Sequence, residues 1–322
     1  MPEKRKNMVF SSLIFLYAFL PASLLCYALC RTLRSKNICL LVFSLIFYAW
    51  GEPKYVLLLM AMALFDWLYA LGIQNAKREA GRKLWLWLAV ITDLGLLGFF
   101  KYSGMICSLF GSPPPFIQKL VLPIGISFYT FQLLTYVVSV YRRETPAQQS
   151  YGRVLLYAAL FHQCIAGPIV RYRDISRELF ERRSPRGEVG EGVLRFTVGL
   201  AKKVILANPL GELADTFLLT DAVIGQADRL SESLQRLGSA SVLGLWIGLI
   251  AFGLQIYFDF SGYSDMAVGM GKMLGLHYPE NFDHPYVSRS ATEFWRRWHI
   301  SLGTWFREYV YIPLGGNRVS RG

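Results

Sequence analysis

The sequence predicts an all-α, polytopic integral membrane protein. Apolar residues make up 53% of its 322 positions and charged residues 17%, whereas soluble domains carry about 25% charged residues. The charged residues lie in short runs, and the apolar segments between these runs are long enough to cross a bilayer. This composition excludes a disordered chain and a small disulfide-stabilised secreted module.

The apolar segments are predicted as transmembrane helices in chain order. Residues 8–30 follow three basic residues and are too long for a signal-peptide core, which favours a retained span. A helix needs about 20 residues to cross the hydrocarbon layer, and the later runs are judged against that length. They are residues 38–50, 55–73, 84–100, 121–141, 154–170, 192–207 and 241–258, followed by the short run 266–276.

The basic residues predict the orientation of these spans. The loops within residues 31–36, 77–83 and 142–153 carry ten Lys and Arg residues, and the amino terminus and alternate loops together carry six. Basic loops face the cytoplasm, so the amino terminus is predicted on the periplasmic side. The segment 209–240 is rich in Asp and Glu and is predicted as an external loop.

One segment interrupts this alternation. Six arginines follow residues 154–170 although that end is predicted outside, and the segment contains His162, Gln163, Gly167 and Pro168. Irregular backbone is tolerated at membrane depth where protein surrounds it. A re-entrant segment that returns to the cytoplasmic side removes the conflict. His162 is then either a packed core residue or part of a cavity wall.

The stretch QIYFDFSGYSD, residues 255–265, places two carboxylates at the end of a span. Intramembrane carboxylates are costly and usually face a polar interior. Gly262 predicts a broken helix, and Asp259 and Tyr263, four residues apart, are predicted to hydrogen-bond on one face. Asp265 lies on a different face from Asp259. Two interpretations remain open: a structural polar network, or residues that line a substrate path.

Within residues 292–318 an amphipathic helix is predicted, with Thr292 able to cap its start and an apolar stripe from Phe294 to Tyr309. Aromatic and aliphatic residues fall on one stripe, while Arg296 and its neighbour suit headgroups or an anionic ligand. One interpretation is an interfacial helix with an aromatic belt and no chemistry. His299, between Trp298 and Ile300, is the candidate for catalysis under the other.

The sequence lacks the motifs of several other enzyme classes. A phosphate-binding G-x-x-x-x-G-K-[ST] loop, a G-x-S-x-G elbow and an H-x-x-x-x-D pair are missing from the sequence. Five cysteines lie in or beside apolar segments without a CxxC pair, so no metal site is predicted. The net charge of +12 lies beside apolar spans, which indicates lipid headgroups rather than nucleic acid.

Four long motifs, in order, resemble those of the membrane-bound O-acyltransferase (MBOAT) family, closest to its bacterial alginate-acetylating branch. They are FDFSGYSDMA (258–267), ENFDHPY (280–286), EFWRRWHISL (293–302) and YIPLGGNR (311–318). The resemblance extends from about residue 10 to residue 318, with further matching stretches such as LPIGISFYTFQ (122–132). It implies a multi-helix bundle around a tunnel, with re-entrant and interfacial helices, as a single domain over residues 1–322.

The resemblance also implies a set of site residues. His299 matches a supporting active-site histidine, and the family's main catalytic histidine belongs to a W-H-G motif that would follow residue 322. The chain 1–322 alone is therefore expected to be incomplete and inactive. The other candidates for the tunnel wall or its polar network are Asp259, Tyr263, Asp265, Asn281, Trp295, Arg296, Trp298, Asn317 and His162.

The implied activity is O-acetylation of an exported, alginate-like polysaccharide at the bacterial inner membrane. The donor is acetyl-CoA or a similar thioester from the cytoplasm, with no bound cofactor or metal. Implied partners are membrane lipids, a periplasmic SGNH-type acetyltransferase and the polysaccharide, and transfer can be direct or relayed. The alternatives are a non-catalytic scaffold or acyl-group transporter subunit, and an enzyme that acts on a lipid or teichoic-acid-type acceptor.

Overall fold

A computed structural model describes residues 9–182, 186–220 and 240–318, with positions 230, 234, 235, 237 and 238. The described chain is a bundle of α-helices, which confirms the predicted all-α class. A π-helical turn, Phe15–Phe19, leads into the first helix, and another, Lys202–Ala207, lies between the ninth helix and the tenth. The helices are α1 Leu20–Leu29, α2 Leu33–Gly51, α3 Val56–Asn75, α4 Glu79–Phe110, α5 Pro115–Gln118, α6 Ile126–Tyr141, α7 Tyr151–Ala159, α8 Tyr172–Glu181, α9 Arg186–Ala201, α10 Asn208–Phe217, α11 Val242–Met273, α12 Ala291–Arg297 and α13 Ile300–Phe306.

Four of the described helices are long and apolar enough to cross a membrane: α2, α3, α4 and α11. The predicted spans 241–258 and 266–276 are one 32-residue helix, α11, so the prediction of a break at Gly262 was wrong. The run 38–50 is lengthened at its start, because Thr32 caps α2 and accepts a hydrogen bond from the Ser35 N–H. The first span is shorter than predicted, since helical structure over Phe15–Leu29 begins well after residue 8.

The loops that carry most of the basic residues meet at one end of the bundle, which we call the basic end. Gln74, at the end of α3, accepts a hydrogen bond of 2.5 Å from the Ala147 N–H. Tyr141, at the end of α6, donates to Glu79 at the start of α4 over 3.0 Å. The predicted loops 77–83 and 142–153 therefore lie on one side, as the charge alternation requires.

The poorly charged loops meet at the opposite end. The Tyr48 hydroxyl donates to the Ile124 carbonyl and the Tyr55 hydroxyl to the Val121 carbonyl, each over 2.9 Å. The predicted external loop 209–240 begins as helix α10, and most of its later residues lie outside the described part of the chain. Arg183 and Ser184, which follow α8, also lie outside it.

The predicted re-entrant segment 154–170 turns back toward the basic end. Helix α7 covers only its first part, and the chain then bends through Gly167, whose φ is 112°. Helix α8 follows the bend: its Phe180 ring centroid lies 4.5 Å from the Arg153 guanidinium of α7, and its Arg173 contacts Glu144 at 3.3 Å. Both ends of the segment therefore lie at the basic end, which is the geometry of a re-entrant element.

Helices α9 and α11 pack backbone against backbone along a seam of glycines. A Cβ atom added at Gly199 would lie 2.5 Å from the Gly262 carbonyl oxygen, and one added at Gly269 would lie 2.7 Å from that of Gly192. Small residues allow such close approach between helices in lipid, where packing rather than the hydrophobic effect drives association. The seam sets the position of Asp265 against α9.

Candidate active site around His299

His299 lies at a break between two short helices, not inside one helix as the sequence predicted. Its φ and ψ are 47° and 53°, a left-handed conformation that is uncommon for residues other than glycine. The break arises because residues 281–283 pair with the chain here: the Asp283 N–H donates to the Arg297 carbonyl over 2.9 Å, and the Ile300 N–H to the Asn281 carbonyl over 3.0 Å. Ser290, rather than Thr292, caps α12.

The Asn281 side chain sets the tautomer of His299. Its Oδ1 atom lies 3.0 Å from His299 Nδ1 and accepts from the Ser301 hydroxyl at 2.9 Å. The Ser301 backbone N–H also points at Oδ1 over 3.3 Å, and this fixed donor defines which amide atom is the oxygen. Because a carbonyl oxygen only accepts, Nδ1 carries the proton and Nε2 keeps its lone pair.

Burial keeps His299 neutral. The residue lies outside the four spanning helices, and desolvation lowers its pKa from 6.5 to about 4 by penalising the charged imidazolium. The edge of its ring meets Phe260 of α11, with 4.8 Å between centroids. At neutral pH the ring is therefore uncharged and offers Nε2 as a hydrogen-bond acceptor or base.

Asn281 connects this site to two other elements. It is 1% exposed, and its Nδ2 donates to the Ser264 hydroxyl of α11 over 3.1 Å. Ser301, which donates to Asn281, accepts from the Ile169 N–H over 2.9 Å. The loop that carries His299 is thus tied to α11 and to the bend of the re-entrant segment through buried hydrogen bonds.

The two carboxylates of α11 form separate ion pairs. Asp265 lies between Arg195, at 2.7 Å, and Lys202, at 2.6 Å, and its side chain is 7% exposed. Asp259 pairs with Lys203. Tyr263 stacks on Phe10 with 4.4 Å between ring centroids, so the predicted Asp259–Tyr263 hydrogen bond was wrong. Of the two interpretations, the ion pairs favour the structural network.

An aromatic wall separates His299 from a cavity of about 710 Å³ that Asp265 lines. Phe282 borders this cavity and packs against both Phe260 and Trp298, with 5.0 Å between centroids in each case. Trp298 also stacks on Phe294 at 5.5 Å. The predicted aromatic stripe is therefore a folded cluster around the His299 break.

The remaining candidates lie elsewhere. Trp295, Arg296 and Asn317 line another cavity, of about 760 Å³. His162 is fully buried with its Nδ1 2.7 Å from the Tyr278 hydroxyl. The structure therefore brings together His299, Asn281 and Trp298 from the predicted set.

Sequence reasoning missed Ser301, Arg195 and Lys202. The two cations were detectable, because a charged residue inside an apolar segment signals a buried partner. Ser301 gave no such signal.

Comparison with known proteins agrees with these motifs. The family model described as "MBOAT, membrane-bound O-acyltransferase family" matches residues 82–322. The chain belongs to the MBOAT family.

Its similarity to two O-acetylating proteins extends over almost the whole chain. It is 42% identical to the probable alginate O-acetylase AlgI of Pseudomonas aeruginosa, over 97% of this chain and 58% of that protein. It is 32% identical to the peptidoglycan O-acetyltransferase of Helicobacter pylori, over 97% of this chain and 63% of that protein. A teichoic acid D-alanyltransferase of Bacillus subtilis is 27% identical over 62% of this chain and 47% of its own length.

The chain thus spans about 60% of the length of the first two relatives. Within this MBOAT chain, the matched region contains the His299 break, Asn281 and the whole of α11. Family membership implies an acyl donor, and the four span-capable helices make the protein an integral membrane protein.

Proposed function

We propose that the protein is a membrane O-acetyltransferase that modifies an exported, alginate-like polysaccharide. The similarity to alginate and peptidoglycan O-acetylating relatives supports the reaction class. The donor is acetyl-CoA or a similar cytoplasmic thioester. The basic end faces the cytoplasm, the amino terminus faces the periplasm, and the acceptor or an SGNH-type partner takes the acetyl group on the periplasmic side of the inner membrane.

His299 acts in this proposal as the supporting histidine. The observation that carries it is the Nδ1–Asn281 contact of 3.0 Å, which leaves Nε2 as an acceptor. Nε2 accepts a hydrogen bond from a neighbouring hydroxyl of the polysaccharide and so positions the attacking hydroxyl at the thioester carbonyl. A base then removes the proton of the attacking hydroxyl, the new C–O bond forms and the C–S bond breaks to release the thiolate. The family resemblance assigns that base to a second histidine.

The low polarity around His299 suits this chemistry. Phe260 meets the His299 ring, and the aromatic cluster of Phe282 and Trp298 packs against Phe260, so apolar side chains lie next to the imidazole. A dry site strengthens hydrogen bonds to developing charge and limits hydrolysis of the thioester. The neutral imidazole does not repel a cationic neighbour and does not require deprotonation at neutral pH.

The test replaces His299 with Asn in the protein as its host produces it. Asn tolerates the left-handed backbone that His299 adopts, so the fold is retained while the ring is lost. We expect polymer acetylation per unit of membrane protein to fall about 100-fold, the size of loss that misplacement of a reacting group causes. Polymer acetylation by His299→Ala is expected to fall at least as far.

His284→Asn is the matched control. His284 also has a positive φ, 45°, but its side chain is 82% exposed. We expect normal acetylation and normal abundance from this variant. Full acetylation by His299→Asn would remove His299 from the site and favour the non-catalytic scaffold or transporter function instead.

A further inference from the structure

A second cavity, of about 660 Å³, lies at the basic end and away from the residues around His299. The start of α2 forms one wall with Arg34 and Ile38, and the start of α7 forms the other with Arg153. Gln149 and Ser150, from the loop before α7, add polar groups. The cavity is half open and joins two elements that are more than 100 positions apart in the sequence.

The charge of this cavity is not compensated. None of its described lining residues is acidic, and among the described residues neither Arg34 nor Arg153 has a carboxylate within 4.0 Å. Arg153 is held in place by its contact with the Phe180 ring at 4.5 Å. Two guanidinium groups that line one cavity present several hydrogen-bond donors to an anion, and Arg is suited to bidentate phosphate contacts.

The cavity around Asp265 provides the contrast. There, Arg195 and Lys202 both contact Asp265, and Lys272 contacts Glu191 at 2.7 Å. The protein thus supplies its own carboxylates to the basic groups of that cavity. The absence of such partners among the described residues around Arg34 and Arg153 points to an anion from outside the chain.

An apolar track leads from the cavity along α2. Ile38, Val42 and Ile46 are 54%, 49% and 48% exposed and follow one another at four-residue intervals on one helix face. At 1.5 Å rise per residue the track extends about 12 Å. Because α2 qualifies as a membrane span, this face meets lipid chains. A soluble phosphate would use the arginines and leave the track unoccupied, whereas a lipid uses both.

We propose that this cavity binds the phosphate headgroup of an anionic glycerophospholipid, with one acyl chain along Ile38, Val42 and Ile46. The lipid bridges α2 and α7 and so holds the re-entrant segment at the basic end. This site is separate from the proposed acetyl-transfer site and does not depend on that activity.

The test measures lipid binding to the purified protein in neutral detergent. Native mass spectrometry and thermal unfolding are recorded with phosphatidylglycerol, phosphatidylcholine or inorganic phosphate. We expect phosphatidylglycerol to remain bound and to raise the unfolding temperature, and the other two to do neither. The Arg34→Gln/Arg153→Gln variant should lose about fivefold in phosphatidylglycerol affinity for each arginine removed.

Arg177→Gln is the control, because Arg177 is at the same end but is 88% exposed and paired with Glu181. It should keep the affinity of the unmodified protein. Equal stabilisation by phosphatidylcholine would overturn the role of charge. Equal stabilisation by inorganic phosphate would overturn the lipid assignment, and unchanged phosphatidylglycerol binding in the double variant would overturn the site itself.

Discussion

The glycine seam between α9 and α11 makes a prediction whose magnitude follows from the structure. In Gly199→Ala the new Cβ would lie 2.5 Å from the Gly262 carbonyl oxygen, 2.7 Å from the Met266 N–H nitrogen and 2.8 Å from Asp265 Cβ, whereas ordinary contacts begin at 3.4 Å. The helices must therefore separate by roughly 0.9 Å, the shortfall in the closest of these contacts. Backbone atoms cannot rotate away as a flexible side chain can.

Gly190→Ala, in the same helix, is the matched control, since nothing lies within 4 Å of its added Cβ. Both variants gain the helix propensity of Ala, about 1 kcal/mol. The difference between them isolates the overpacking cost, about 1–3 kcal/mol. We expect Gly190→Ala to unfold at a higher denaturant concentration than the unmodified protein, and Gly199→Ala at a lower one.

The assay is unfolding of the purified protein in mixed micelles by increasing sodium dodecyl sulfate, followed by the loss of helical circular dichroism. Movement of α9 in Gly199→Ala also lengthens the contacts of Arg195 and Lys202 with Asp265. Weaker ion pairs therefore add to the loss of stability. If the two alanine variants were equally stable, the close approach of α9 and α11 would be incorrect.

Two further predictions concern the site and the topology. Asn281→Asp places a carboxylate beside His299 Nδ1, which raises the pKa of His299 from about 4. The acid limb of the acetylation–pH profile should therefore move to higher pH, and a limb that stays in place would contradict the Asn281 contact. Single cysteines at Gln149 and Arg177, in a background without native cysteines, should react with an impermeant thiol reagent from the cytoplasmic face. A cysteine at Ser112 should react from the periplasmic face. Labelling of positions 149 and 177 from opposite faces would exclude the re-entrant segment.

The sequence alone determined the class of the protein and the layout of its ends. Apolar run length depends on composition and needs no long-range contact, so the span of α3 was predicted close to its position and the run 84–100 lies inside the longer helix α4. Lys and Arg counts likewise identified the loops that meet at the basic end. The family motifs singled out His299 and Asn281, although they gave no geometry for either.

Tertiary structure decided what those residues do. The stripe around Trp298 has helical spacing, and the break at His299 appears only because residues 281–283, which lie 14 to 19 positions earlier in the chain, pair with it. Asp265 looked like a lone intramembrane carboxylate until α9 brought Arg195 against it, 70 positions away in sequence. The sequence pattern predicted a helix break at Gly262, yet Gly262 lies inside α11. Its lack of a side chain allows α9 to pack closely against α11. Each of these outcomes depends on contacts between distant segments, and no local pattern of residues encodes them.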